Sequence, residues 1–240
     1  MKEKQMTKSS VEEIRSKFDN DVQRFSNLDT AQRTVIDAQY CLEIITEAVR
    51  HLTPNAKSSL DIGCGAGNYT LKLLQKLPSL DCTLIDLSLP MLLKAQERVS
   101  QETTGTVKII QSDIRDIELP ENEYCVAVAG AVLHHLREEA EWELVFNKVY
   151  RALKPGASFW ICDLVRHDVP AIQTLFENVY GDFLMELGGN DFKENVFDYI
   201  EKEDTPKSVN YQLELLKKVG FRQVEVLHKN MCFAAFGAVK

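Results

Sequence analysis

The chain has 240 residues, 45% of them hydrophobic, enough for one large domain or one domain with a cap. A formal net charge of −8 and a pI near 5.2 argue against a partner with a dense phosphate backbone, which needs a clustered basic face, so extended nucleic acid is set aside as a substrate. The apolar runs are strand-sized and interrupted, the opening Met1 to Gln5 lacks a signal-peptide core, and six cysteines are scattered without a C-x-x-C pair. The expectation is a cytoplasmic protein with reduced, mostly buried thiols, no membrane span and no metal.

In chain order, Ser10-Val11-Glu12-Glu13 forms a capping box that opens a helix, and Val35, Ala38, Leu42, Ile45, Val49 and Leu52 make the apolar stripe of a second. Residues 1–56 are accordingly expected to form an N-terminal helical cap. The run Leu60-Asp61-Ile62-Gly63-Cys64-Gly65-Ala66-Gly67-Asn68 then closes a strand with an acid and follows it with alternating glycines. Glycines there allow positive φ and let a ligand lie against bare main chain. The spacing is G-x-G-x-G, whereas a dinucleotide fingerprint reads G-x-G-x-x-G, and Asn68 stands where its last glycine would be. A carboxylate at a buried strand end also needs a cation or donors, and an ammonium would suit Asp61.

Strand-like runs follow at Cys82–Asp86, Val107–Gln111, Tyr124–Gly130 and Ala157–Leu164, alternating with amphipathic helices. Asp86 lies where a ribose-gripping acid belongs, or caps the helix after it, and Ser88 and Pro90 suit that helix's first turn. Ser112-Asp113 is either a ligand-facing acid or an Asx turn. Residues 166–205 form a helical insert broken at Gly188-Gly189-Asn190, whose Phe176, Tyr180, Phe183, Phe192, Phe197 and Tyr199 either line a pocket or fasten the insert to the domain. Thr205 as N-cap, Pro206 and Gly220 bound a last helix with an apolar face of Leu213, Leu216 and Val219. Two strand-like runs, Gln223–His228 and Met231–Ala238, end the chain around a turn at Lys229-Asn230.

From Ser58 to Leu164 these motifs resemble the class I S-adenosylmethionine-dependent methyltransferases, in the branch that acts on small molecules. The resemblance implies an α/β, doubly wound, Rossmann-like seven-stranded sheet with the last strand antiparallel, N-terminal helices, and the insert as a lid. Residues 57–240 would be the methyltransferase domain. It implies that Gly63, Cys64, Gly65 and Gly67 hold the methionine half of the cofactor, that Asp61 faces its amino group, directly or through water, and that Asp86 and Leu87 take the ribose. Met91, Asp113 and Ile114 would lie at the adenine, and Gly130 would close the cofactor site at the end of the fourth strand. Met91 is equally readable as core. His134 and His135, beyond that strand's C-terminal end, are the candidates to act on the acceptor, with His135 preferred for the contact and His134 packed behind it; a purely structural pair is the competing reading. Tyr69, His167 and Tyr180 are weaker candidates.

The function implied is direct in-line transfer of a methyl group from S-adenosylmethionine to a small-molecule acceptor, by a monomer or homodimer. Two alternatives stand beside it. The C-terminal segment Met231–Ala238 and the acid-rich N-terminal helix also resemble carboxy-S-adenosylmethionine synthases, which make a carboxylated cofactor for tRNA modification. That group needs an arginine for the extra carboxylate, and from Glu201 to Val209 this chain offers only Lys202 and Lys207. The other alternative is a non-catalytic module that binds this cofactor or NAD.

Overall fold

The structure, a computed structural model, is described for residues 8–27 and 32–240. Its elements in chain order are α1 (Val11–Asn20), α2 (Val22–Ser26), α3 (Ala38–Leu52), β1 (Ser58–Ile62), α4 (Asn68–Leu74), β2 (Asp81–Asp86), α5 (Leu89–Glu102), β3 (Val107–Gln111) and β4 (Tyr124–Gly130). A 3-10 turn (Leu133–His135) follows, then α6 (Glu139–Ala152), β5 (Leu153–Leu164), α7 (Pro170–Glu203), α8 (Val209–Val219), β6 (Gln223–Asn230) and β7 (Phe233–Val239).

Successive side chains leave a strand on opposite faces, so a strand that is apolar at every position must be covered on both sides. In β4, Val126 and Val128 face one layer and Ala127 and Ala129 the other; in β5, Trp160 and Cys162 oppose Phe159 and Ile161. Helices α3, α4 and α5 cover the first face with Leu42, Ile45, Leu73 and Leu92, while α6 and α8 cover the second with Trp142, Phe146, Val149 and Leu216. The seven strands run in the order β3-β2-β1-β4-β5-β7-β6. Only β7 is antiparallel to its neighbours, as expected of the doubly wound sheet.

Local chemistry places the helix ends. Ser10 Oγ accepts from Glu13 N–H at 3.2 Å and Glu13 accepts from Ser10 N–H at 2.7 Å, the expected capping box. Ser88 caps α5 by accepting from Met91 N–H at 3.3 Å. The cap of α8 is Ser208, which accepts from Tyr211 N–H at 3.1 Å, and not Thr205. Thr205 spends its amide on the carbonyl of His134 at 2.7 Å, and the chain stays outside the helix until Ser208 bridges to Arg166. The helix therefore buries Val209, Gln212, Leu215 and Leu216, with Leu213 and Val219 at the margin of the core. The final turn also moves: Lys229 and Asn230 pair with Ala234 and Phe233 inside the hairpin, and Met231 takes the left-handed conformation (φ 49°) that reverses the chain. β5 begins at Leu153, four residues before Ala157.

The insert is two helices meeting at Gly189, whose φ of 81° and ψ of −178° interrupt α7. Tyr180 and Leu184 pack with Ile36, Leu164, Cys232 and Phe233, and the Tyr180 ring lies 5.5 Å from Phe233 and 5.8 Å from Phe197. These aromatic contacts fasten the insert to the domain. All six cysteines are free thiols, five of them buried. Among the described residues no helix is long and apolar enough to cross a membrane.

Phe146 is fully buried, with its ring 5.8 Å from Phe159 and 5.9 Å from Trp142. Phe146→Ala is expected to lower stability by about 3–5 kcal/mol in urea unfolding, because its neighbours on helix and strand cannot close the gap. A loss under about 1 kcal/mol would show that the layer collapses around the site.

Candidate active site

Strand order reverses between β1 and β4, so the connections leaving their C-terminal ends part and open a crevice. One pocket occupies it. Its floor and walls come from Ile62 to Ala66, Asn68, Tyr69, Ile85 to Leu87, Met91, Ser112 to Arg115, Gly130 to Val132 and His135 to Arg137. Its roof comes from the N-terminal helices and the segment after them, through Val11, Ile14, Phe18, Phe25, Gln32 and Val35. No residue of α7 lines it, and the roof seen is that of the N-terminal helices.

The glycine loop is shaped by its neighbours. Gly63 (φ 63°) passes so close to the turn after β4 that a Cβ there would lie 2.3 Å from Val132 Cγ2, whereas a Cβ on Gly65 (φ 49°) would meet nothing within 4 Å. Gly65 therefore presents open main chain to the pocket. Cys64 also lines the pocket, but Gly67 does not: it opens α4 and packs on Ala95 and Val99 of α5.

Asp86 lines the pocket with both oxygens anchored, Oδ2 accepting from Gly65 N–H at 2.8 Å and Oδ1 from Ser88 N–H at 2.9 Å. Burial raises its pKa against the opposing pull of these amides, and each oxygen keeps a second lone pair for a ligand. Leu87, Ile114 and Gly130 line the same cavity, and Met91 both lines it and is buried in the core. Asp113 also lines it, in an Asx turn: Oδ1 accepts from Arg115 N–H at 2.9 Å and Nε–H at 3.0 Å, and Oδ2 accepts from the guanidinium at 2.6 Å. Burial works against this charge, but Arg115 outweighs it and holds the carboxyl below its usual range.

Asp61 is the buried acid of β1 just before the glycines. It is 2% exposed and lies beneath the loop, outside the pocket lining, where Oδ2 accepts from Thr70 Oγ–H at 2.7 Å and from Thr70 N–H at 3.3 Å. Burial pushes its pKa up to about 7, the Thr70 bonds oppose that rise, and the nearby Asp86 charge adds to it.

The two histidines part as their adjacency predicts. His135 lines the pocket, its ring edge-on to Phe18 at 6.1 Å, and His134 does not. His134 lies between two buried acids, with Nδ1 hydrogen-bonded to Asp163 and Nε2 3.7 Å from Asp204 Oδ1. Burial opposes its protonation, but the Asp163 and Asp204 charges and the Asp163 bond outweigh burial and push its pKa up to about 9. Asp163 also accepts from the amides of Leu133 at 2.8 Å, His134 at 3.2 Å and Leu164 at 2.8 Å. Of the weaker candidates, Tyr69 lines the pocket, while His167 stacks on Phe176 and Tyr180 donates to Thr34 O at 2.9 Å, both outside it.

Sequence reasoning missed the residues that hold the roof down. Ser9 Oγ–H donates to the fully buried Glu203 at 2.8 Å, Lys17 bonds the same carboxylate, Lys8 donates to the carbonyl of Asp204 at 2.5 Å, and Arg137 donates to the carbonyl of Ser9. The capping box marked α1, but no local pattern says where a helix docks. Nor does a local pattern announce that Asp204 comes to within 3.3 Å of His135 Nδ1.

Residues 60–156 match the family model described as a methyltransferase domain. The chain is 28% identical over 231 residues to the carboxy-S-adenosyl-L-methionine synthase of Shewanella woodyi, covering 93% of this chain and 92% of that one. It is 23% identical over 230 residues to the enzyme of the same name from Nautilia profundicola, covering 95% and 93%. Its fold is similar to human N-acetylserotonin methyltransferase in complex with S-adenosylmethionine, with a TM-score of 0.60 and 14% identity over 94% of this chain, which spans 56% of that protein. It is also similar to an S-adenosylmethionine-dependent methyltransferase of Leishmania major, with a TM-score of 0.57 and 13% identity over 93% of this chain and 82% of that one.

Asp61 generates a pH prediction. A carboxyl with pKa near 3.9 in the unfolded chain and about 7 in the fold binds its proton more tightly when folded, so its contribution is fully present below pH about 4 and lost as pH rises to about 7. Asp61→Asn is expected to flatten that part of the stability profile, measured as urea midpoints across the window. Parallel profiles for the two proteins would refute the assignment.

Proposed function

We propose that the chain is a class I S-adenosylmethionine-dependent methyltransferase and that it transfers a methyl group from S-adenosylmethionine to a small-molecule acceptor bound beneath the N-terminal helices; the methyltransferase-domain match over residues 60–156 supports this premise. The observation that carries this reading is the pairing of a bare main-chain surface at Gly65 with the anchored Asp86 carboxylate, at the switch point of the sheet. These residues fit the cofactor. Asp86 can accept from both ribose hydroxyls, the walls formed by Leu87, Met91 and Ile114 suit a flat apolar base, and Asp113 keeps lone pairs for an exocyclic amine. Gly63 and Gly65 place no side chain between the loop and the methionine half, and Cys64 borders the same space. We assign Asp61 and Gly67 an indirect part, holding the loop through Thr70 and through the packing of α4 on α5.

The bound cofactor supplies an activated methyl group on a sulfonium, so what the protein adds is alignment and exclusion of water. Val11, Ile14, Phe18 and Phe25 supply the dry roof, and Arg137 ties that roof to the turn after β4. His135 is the proposed acceptor contact. His134, locked between Asp163 and Asp204, is a positioning residue that orients it. The scattered free thiols support a reducing, cytoplasmic setting, and residues 1–56 act in this reading as a cap on a domain that begins at residue 57.

One observation favours a second reading, in which the enzyme acts on the cofactor itself: the relatives named above carry that activity in their names and align over nearly the whole chain. Lys207 is paired with Glu139 at 3.0 Å and neither it nor Lys202 lines the pocket; Arg115 and Arg137 do, and since Arg115 is engaged by Asp113 and Glu141, Arg137 is the candidate cation for an added carboxylate. Mass spectrometry of small molecules released from the purified protein separates the readings, since a carboxylated cofactor that disappears in Arg137→Gln supports the second and unmodified cofactor the first.

The cofactor assignment is tested by calorimetric titration with S-adenosylmethionine, S-adenosylhomocysteine and NADH. Asp86→Ala is expected to weaken both sulfur cofactors about 10- to 100-fold, the worth of hydrogen bonds to a charged group. Unchanged affinity in the variant, or binding of NADH alone, would defeat the assignment.

A further inference from the structure

We propose that His134 Nε2, His135 Nδ1 and Asp204 Oδ1 form a binding site for one divalent transition-metal cation that accepts mixed imidazole and carboxylate ligands, zinc first among them. The three donor atoms lie within 4.8 Å of one another, with Asp204 Oδ1 at 3.3 Å from His135 Nδ1 and 3.7 Å from His134 Nε2. Ligands about 2.0–2.2 Å from a tetrahedral zinc stand roughly 3.3 Å apart, so the two separations from Asp204 Oδ1 need only slight closure, and the two imidazole nitrogens, within 4.8 Å of each other, would draw together on binding.

Three further features set this cluster apart from a chance meeting of polar groups. The Asp204 side chain is only 4% exposed, yet Oδ1 has no hydrogen-bond partner among the described residues, and neither has the buried His135 Nδ1. The two atoms are close enough for a hydrogen bond but are not aligned as one. Buried polar atoms normally find a partner, and a cation between them would satisfy both. Second, Asp163 bonds the far nitrogen of His134, the outer-shell arrangement that fixes the tautomer of metal-bound imidazoles and aims the other nitrogen inward. Third, the ligand set is incomplete by one: three protein donors leave a fourth position, as catalytic zinc sites do, and His135 borders the pocket.

The donor chemistry selects the ion. Two imidazole nitrogens disfavour magnesium and calcium, which take oxygen, and the lack of a thiolate disfavours cuprous ion. Binding would displace the proton on His134 Nε2, as it must whenever an imidazole becomes a ligand. The site does not depend on which acceptor is methylated, or on the methyl-transfer reading at all.

The test uses the full chain, stripped with a chelator and titrated with Co2+ alone, followed by Zn2+ competition, with no adenosyl compound present. One equivalent of Co2+ with intense visible ligand-field bands, displaced by Zn2+, is expected. Asp204→Asn and His135→Gln, checked for folding by circular dichroism, should weaken binding about 10- to 100-fold or more. Absence of a stoichiometric site in the wild type, or equal affinity in folded variants, overturns the proposal. Should neither variant fold, the wild type loaded with one equivalent of Cu2+ decides: electron paramagnetic resonance showing coupling to two imidazole nitrogens supports the site, and its absence overturns it.

Discussion

The buried carboxylate of Asp163 is the constraint on which the turn after β4 and the edge of the roof depend. It is 1% exposed at the end of β5 and gathers three backbone amides and the ring of His134 around one anion. An ion so deep is strongly destabilising without such partners, so the turn after β4 has little freedom to take any other shape. The constraint then passes outward. With His134 fixed, its carbonyl holds the amide of Thr205, which sets the path of Glu203 and Asp204, and these hold Lys8, Ser9 and Lys17 at the edge of the roof.

On the other side of the pocket the organising contact is the Gly65 amide on Asp86. It joins the loop after β1 to the end of β2, so a ligand touching either feels both. The two halves are built on different chemistry. The loop side offers main chain and one carboxylate to a ligand of fixed structure, whereas the turn after β4 and the roof offer apolar side chains with Gln32, His135 and Arg137 among them. Such a division lets the two halves vary independently, since changes in Phe18 or Phe25 would leave the Gly65 and Asp86 contact alone.

How much of this was legible depends on how local the determining physics is. The glycine loop was readable because a left-handed backbone beside a close neighbour leaves few other residue types. The strands were readable because burial on both faces forces continuous apolar runs. Asp61 is legible as a strand-end acid, but not the partner it takes inside the protein, because a buried carboxylate asks only for donors and Thr70, nine residues on, supplies two of them to Oδ2. Thr205 and Ser208 are both good caps, and the choice fell to Ser208 because a distant carbonyl had already taken the Thr205 amide. The insert's aromatic residues are legible as either pocket lining or fastening, and only the tertiary structure decides: none of the six lines the pocket, and Tyr180 packs on Phe233. Phe18, Asp163 and Asp204 went unnoticed for the same reason: their neighbours lie far along the chain.

The bond from Ser9 to Glu203 joins residues at opposite ends of the sequence. During synthesis β1 and the glycine loop emerge well before α7, so α1 can lie on α5 before its anchor at Glu203 exists. The bond that pins the roof therefore spans one of the longest sequence separations in the fold, a contact of high order. Roof and insert are thereby tied through one buried carboxylate, so a local opening of either is expected to loosen the other.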